Sequence, residues 1–280
     1  MSDQRIAAPS SPDAGVRESL TPGDRVRSAA WTFLTAARTE QRAMQGNPLV
    51  LINGGFLPIA LLVISVETRR PTSGRAAEIV VSVMLTALWA CTIWTSGGVL
   101  RRERTYGTLA SCVCGVASPT VILFGKSFGA TLYGVGMTLA TTLGTVLVLR
   151  LPVAVAQPFW IAVGLVIVVV SATTLGALMS CLFLLTRNGL IWSGALMYPV
   201  FVLGGLLLPP DVLPVWLRWA PQLLSLHWIN EFLSGAIGGG LSFTPLSVAV
   251  LLTIVYGVLA WFTYRWSIDK ARQRGTLDYA

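Results

Sequence analysis

Six apolar runs, at residues 49–66, 79–100, 121–149, 159–185, 190–208 and 246–266, constrain this 280-residue chain more than anything else in it. A hydrocarbon core about 30 Å thick is crossed by roughly 20 mostly apolar residues in a helix, so each run predicts one span. The third and fourth runs exceed what a perpendicular crossing requires, which predicts tilt or a helix that continues past the bilayer. A membrane barrel would instead show short segments of alternating polarity, and the chain has none. With 54% hydrophobic residues, 11% charged ones and a mean hydropathy of +0.70, a soluble fold of this length is excluded. The predicted class is an all-α integral membrane protein with six transmembrane helices over 49–266.

Basic residues set the orientation. With both termini in the cytoplasm, the cytoplasmic segments hold fifteen of the twenty, and the outer segments hold only Arg69, Arg70, Arg75, Arg150 and Arg218. The positive-inside asymmetry therefore predicts cytoplasmic termini. The net charge of +8 then reads as topology and attraction to anionic lipid, not as a nucleic-acid surface. Residues 1–24 carry Pro9, Pro12 and Pro22 among Ser, Asp and Ala and lack an apolar run long enough for a signal peptide, which predicts a disordered tail. A second cytoplasmic tail is expected over 267–280. Over 25–48, Val26, Ala30, Phe33, Leu34, Ala37 and Met44 fall near one helical face, and Trp31, Thr35, Arg38 and Arg42 near another. That pattern predicts an amphipathic helix in the membrane interface ending at Gly46-Asn47-Pro48, with a solvated helix as the alternative.

Between the second and third runs lies a polar segment, 101–120, that opens with Arg101, Arg102, Glu103 and Arg104. Four charges in succession cannot stay in hydrocarbon. They predict a short helix bearing a charged knob, with Gly107 and Ser118-Pro119 as places where the chain changes direction. Such a knob, seated in a cleft of another protein, would turn closure of that cleft into a lever motion of the attached spans. A loop that only sets topology is the alternative. Residues 209–240 are too apolar for a solvated loop, yet Pro209, Pro210, Pro214, Pro221 and Gly238-Gly239-Gly240 break them too often for a span. With Trp216, Trp219 and Trp228 suited to headgroup level, they predict two short re-entrant helices on the outer side, serving as a gate or a lid.

Catalytic motifs fail on inspection. Gly125-Lys126-Ser127 ends like a nucleotide-binding loop, but Thr120 stands where the earlier glycine is required and no strand precedes it. Leu233-Ser234-Gly235-Ala236 looks like the start of an ATPase signature but sits in an apolar outer segment. His227 and Glu231 are one helical turn apart and offer too few ligands for a metal. Cys91 and Cys181 read as small apolar residues within spans, and Cys112 and Cys114 are too close for an ordinary disulfide. No metal and no cofactor is predicted in the chain. A proton- or sodium-driven carrier places ionisable groups inside the membrane to bind the driving ion, whereas here every Asp and Glu falls at a span end or in a connecting segment, so a pump built on this chain must take its energy from another polypeptide.

Asn53, Trp89, Thr92, Trp94, Ser193, Met197 and Tyr198 are the candidates for lining a path, because aromatic, thioether and hydroxyl groups suit a bulky amphiphile. Packing or lipid-facing roles are the alternative for each. Pro58 and Pro199 predict kinks in the first and fifth spans. Small residues at helical spacing, Gly125 with Gly129 and Ala172 with Gly176 and Ser180, predict close helix packing within or between copies. Six spans are few to enclose a route, so two copies are expected to meet.

Three features together resemble the membrane subunit, or permease, of ABC-2 type transporters: Asn47-Pro48 at the entry to span one, the run from Arg101 to Gly107-Thr108-Leu109, and Gly125-Lys126. The resemblance extends from Arg25 to Trp266. Ala110 stands where members of that family usually carry a second acid. The resemblance implies a coupling helix made by Arg101, Arg102, Glu103, Arg104, Gly107, Thr108 and Leu109. It also implies a separate cytoplasmic ATPase holding ATP and Mg, no ATPase site in this chain, a homodimer in a bacterial plasma membrane, and outward transport of a hydrophobic or amphipathic drug or antibiotic. Export of a glycan or lipid-linked polymer, or a membrane enzyme or assembly factor without transport, are the alternatives.

Overall fold

A computed structural model describes residues 22–69, 73–108, 111–112, 118–153, 156–186, 191–197, 219 and 221–274, and every regular element among them is helical. The order is α1 (Pro22–Met44), then α2 in three continuous pieces (Pro48–Val50, a π-helical Leu51–Phe56, and Leu57–Arg69), then α3 (Ser73–Trp94) and α4 (Val99–Thr105). It continues with α5 (Pro119–Val148), α6 (Pro158–Leu185), α7 (Ser225–Gly238) and α8 (Phe243–Arg274). Five stretches are long and apolar enough to cross a membrane: Pro48–Thr68, Ala76–Thr105, Pro119–Val148, Pro158–Leu184 and Phe243–Ile268. They correspond to the first, second, third, fourth and sixth expected spans. Of the fifth, only 191–197 is described, as helix; the remainder of 190–208, with Tyr198 and Pro199, lies outside the described residues, as do Leu109, Cys114 and 209–218.

The turn from α1 into α2 follows from three residues. Gly46 takes φ 77°, a conformation that ends a helix at little cost to glycine. The Asn47 side chain then accepts the Leu49 N–H at 2.9 Å, and Pro48 occupies the first turn, where a missing N–H costs nothing. α1 lies along α5. A Cβ on Gly125 would fall 2.7 Å from the Phe33 carbonyl oxygen, and one on Gly129 would run into the Ala37 carbonyl. This pair of small residues therefore serves packing within the chain. The face turned to α5 comprises Ala36, Ala37, Glu40 and Met44, whereas Val26 and Leu34, expected on the apolar face with Ala37 and Met44, are exposed. Close approach to two glycines selects the small-residue face, not the most apolar one.

Pro58 lacks the N–H that would bond the Gly54 carbonyl, and the backbone before it widens into a π-helix. Thr141 on α5 donates to that freed carbonyl at 2.9 Å, which ties α2 to α5 at the irregularity. α3 is the central helix. In the most apolar 18 residues of the Ala76–Thr105 stretch 83% are buried, against 17% in those of Phe243–Ile268, where Leu251, Ile254 and Phe262 face outward. One core layer gathers Leu85, Trp89, Val168, Ile229 and Phe232, and a second gathers Met44, Val99, Leu123, Cys181 and Tyr264 nearer α4.

Two differences from the sequence expectation concern helix ends. The second span continues through Thr105, so Arg101 to Thr105 extend a membrane helix after a short break at Thr95 to Gly98. α8 runs on to Arg274, and most of what was expected as a tail over 267–280 is helix. Asp269 to Arg274 contain no helix breaker, and glycine first occurs at Gly275. At the opposite end of the bundle from α4, a 3₁₀ turn (Pro221–Leu223) leads into α7, the one α-helix of the 209–240 segment on described residues. It packs on α3, α6 and α8 with Leu226, Ile229, Phe232, Leu233 and Ala236 buried. Gly239, at φ 81°, ends it.

Candidate functional site

The break between α3 and α4 is held by hydrogen bonds to two other spans, α5 and α6. Ser96 Oγ donates to the Ser127 carbonyl at 2.8 Å, and Ser180 Oγ accepts the Leu100 N–H at 2.9 Å. A Cβ on Gly176 would sit 2.5 Å from Ser96 Cβ, so α6 can reach the break only with glycine there. Leaving backbone polar groups unpaired at this depth would cost several kcal/mol each, of the order set by transfer from water to hydrocarbon.

Beyond the break, α4 turns Val99, Leu100 and Glu103 inward. Glu103 is 8% exposed and collects donors on both oxygens. Lys126 of α5 pairs with Oε1, while Thr108 Oγ1 (2.7 Å) and Cys112 Sγ (3.4 Å) donate to Oε2. Thr108 N–H also closes onto the Glu103 carbonyl at 2.9 Å, a turn that Gly107 permits by taking φ 69°. Burial pushes the Cys112 thiol above its ordinary pKa, against the pull of Lys126, so it remains protonated and able to donate. Next along the helix, Arg102 Nη2 donates to Glu40 of α1 at 2.6 Å, and its Nη1 reaches the Trp94 carbonyl at 3.4 Å. Two ion pairs thus bind α4 to α5 and to α1. Arg104, Thr105, Tyr106, Gly107 and Thr108 face outward, Tyr106 at 74% exposure. Arg101 is half-buried, and its Nη1 has no partner among the described residues.

The four consecutive charges divide by helical geometry into different tasks. Glu103 and Arg102 point into the protein, and Arg104 points out. Sequence reasoning identified these residues and the Gly125-Lys126 pair but not that Lys126 meets Glu103, nor any part for Glu40. One signal was available for Glu40: it is the single acid between Asp24 and Glu67 and shares helical spacing with Ala36, Ala37 and Met44.

The path candidates do not converge on one surface. Trp89 and Thr92 line a crevice with Ala172 and Leu175 of α6 and Leu226 and Ile229 of α7, too narrow to hold a water molecule. Trp94 Nε1 donates to Met197 Sδ at 3.3 Å, joining α3 to the helical 191–197. Ser193 is fully buried, and Asn53 donates to the Leu49 carbonyl of its own helix at 2.9 Å. His227 lies half-buried on α7; burial lowers its pKa, Glu231 partly opposing, while Glu231 itself is exposed. Residues 32–238 match the family model described as ABC-2 type transporter. No curated protein matches the chain.

Proposed function

This chain belongs to the ABC-2 type transporter family, and from that premise we propose that it is the permease of a two-component exporter moving a hydrophobic or amphipathic small molecule, a drug or antibiotic, outward. The family places it in a bilayer as a multi-pass membrane subunit and implies an ABC ATPase partner. In the proposal both termini and α4 face the cytoplasm of a bacterium, two copies assemble around the route, and ATP with Mg is held by the partner ATPase.

The observation that carries this reading is the division of labour on α4. Arg104, Thr105 and Tyr106 are exposed at the surface, where they can seat in a cleft of the ATPase. Leu109, named with them in the sequence, lies outside the described residues. Arg102 and Glu103 connect the same short helix to α1 and α5 through partnered charges, and the α3–α4 break connects it to α6. A displacement applied to the outer face would reach three helices through groups that do not yield singly, because parting a buried charge from its partner costs about 3–5 kcal/mol. Packed elements of this kind move as units between discrete arrangements.

The test is co-expression with candidate ABC ATPases from the same genome, purification in detergent, and measurement of association and ATP hydrolysis. Arg104→Ala with Tyr106→Ala is expected to lose the ATPase while the permease elutes unchanged. Glu103→Gln is expected to keep the ATPase but to uncouple hydrolysis from transport. Failure of any ABC ATPase to associate with the wild type would overturn the exporter reading.

A further inference from the structure

Trp89 is 3% exposed, and its indole N–H finds no acceptor among the described residues. Buried donors in native folds almost always have partners, and the middle of a span offers no bulk water as a substitute. The same ring lines the crevice between α3, α6 and α7, whose other walls are Leu, Ile, Val, Ala and the Thr92 side chain. A group of this kind beside an apolar space is what a ligand-binding site looks like when it is closed.

The three walls differ in how firmly they are held. α3 and α6 are long spans locked together at Gly176 and Ser96. α7 has 14 residues, starts from a proline-led 3₁₀ turn and stops at a left-handed glycine. Its polar attachments to the other two walls are neutral: Ser225 with Ser171 at 2.7 Å, and Asn230 accepting from Ser82 at 3.2 Å. It packs on α6 closely enough that a Cβ on Gly164 would fall 2.5 Å from Leu233 Cδ2, and no ion pair joins any two of the three walls among the described residues. As the shortest wall, with a turn at each end, α7 is the one whose displacement would admit a molecule.

Resting on the exporter reading, we propose that this crevice, inside a single copy of the chain, is a binding subsite for the transported molecule, and that Trp89 Nε1–H selects a neutral apolar body carrying a hydrogen-bond acceptor such as a ketone or ether oxygen. The acceptor is required because an indole nitrogen donates only. Neutrality follows from the lining, which contains no ionisable side chain to meet a charge. The subsite narrows the cargo from amphiphiles in general to uncharged ones.

Anthracene and anthraquinone test this, since they share a three-ring frame and only the quinone offers carbonyl oxygens. Equilibrium binding of each radiolabelled probe is measured on the purified permease–ATPase complex in lipid nanodiscs, corrected against empty discs. Wild type is expected to hold the quinone about 3- to 10-fold more tightly, the range of one net hydrogen bond. Trp89→Phe removes the donor and retains a smaller aromatic ring; it is expected to abolish the preference for the quinone over anthracene. Ile229→Trp, which fills the space, is expected to displace both probes, and if it does not fold, the Trp89→Phe comparison decides alone. Equal affinities in wild type, absence of saturable binding, or a preference that survives Trp89→Phe would each overturn the subsite. ATP hydrolysis without probe is recorded on the same preparation. Normal coupling with no probe preference sinks the subsite alone. If the ATPase does not associate, the exporter reading falls, and the probes are then read on the permease by itself, where the same outcomes still decide.

Discussion

The two ends of the bundle solve the same problem with different chemistry. At both, a helix is interrupted at a depth where unpaired backbone and side-chain groups are costly. At the α4 end the solution is ionic: Glu103 with Lys126, and Arg102 with Glu40, hold a helix of seven residues against α5 and α1. At the α7 end it is neutral. Hydroxyl and amide pairs to Ser171 and Ser82, a Tyr256 hydroxyl donated to the Leu223 carbonyl, and a T-shaped Trp160–Phe232 pair do the holding. Ion pairs deep in a protein resist separation because each half is left desolvated, whereas neutral hydrogen bonds contribute about 1 kcal/mol net and can be exchanged for others. The contrast suits one end to passing on a displacement intact and the other to opening.

Breaking the ionic end is expected to have the largest effect. Glu103→Ala leaves Lys126 facing an uncompensated pocket and is expected to cost about 3 kcal/mol, the low end of the range because Lys126 retains some solvent access. A thermal melt of the purified permease in detergent reads this. Combining Glu103→Leu with Lys126→Leu is expected to recover most of the loss, since an apolar pair needs no partner charges. If the double variant melts as low as Glu103→Ala, the ionic account of this end fails.

At the neutral end the expected effect is smaller. Ser171→Ala removes one buried hydroxyl from the pair with Ser225 and is expected to cost about 1 kcal/mol, because the remaining hydroxyl can turn to a backbone carbonyl. The same melt distinguishes this from an ionic-sized loss, which would mean that α7 is as firmly fastened as α4.

The smallest effect is the pH dependence contributed by His227. Its pKa in the folded chain lies below the ordinary 6.5, burial being the main cause, so the unfolded chain binds the proton more readily. Its contribution is therefore full above about 6.5 and is lost as the pH falls from there through the folded value. His227→Gln is expected to flatten that slope in melts taken between neutral and mildly acidic pH. An unchanged slope would show that other groups carry the pH response.

Much of this was legible from the chain alone, for reasons that are local. Hydrocarbon thickness sets the length of a span, so apolar runs locate helices without knowledge of their neighbours, and Gly46-Asn47-Pro48 contains the whole chemistry of a helix stop and restart. The charged run at Arg101 to Arg104 was visible for the same reason, and so was its place at the end of a span. Which charge points where was not legible. Arg102 meets Glu40 across 62 residues and Lys126 meets Glu103 across 23, and no spacing rule in one dimension predicts such pairs. The amphipathic pattern of α1 placed Ala37 and Met44, which are buried, together with Val26 and Leu34, which are exposed, because glycine at 125 and 129 lets the smallest face approach closest. Path residues were chosen by side-chain type, and type does not say which groups share a cavity.

What the sequence determined by itself is therefore the class of protein, the positions of five apolar spans and the existence of a charged segment between the second and third, all consequences of how single segments partition between water and lipid. Tertiary structure decided that Glu103 and Arg102 face inward while Arg104 and Tyr106 face out, and that the Trp89 donor beside the crevice has no partner among the described residues. These depend on which surfaces of distant helices meet, and only the packed bundle brings them together.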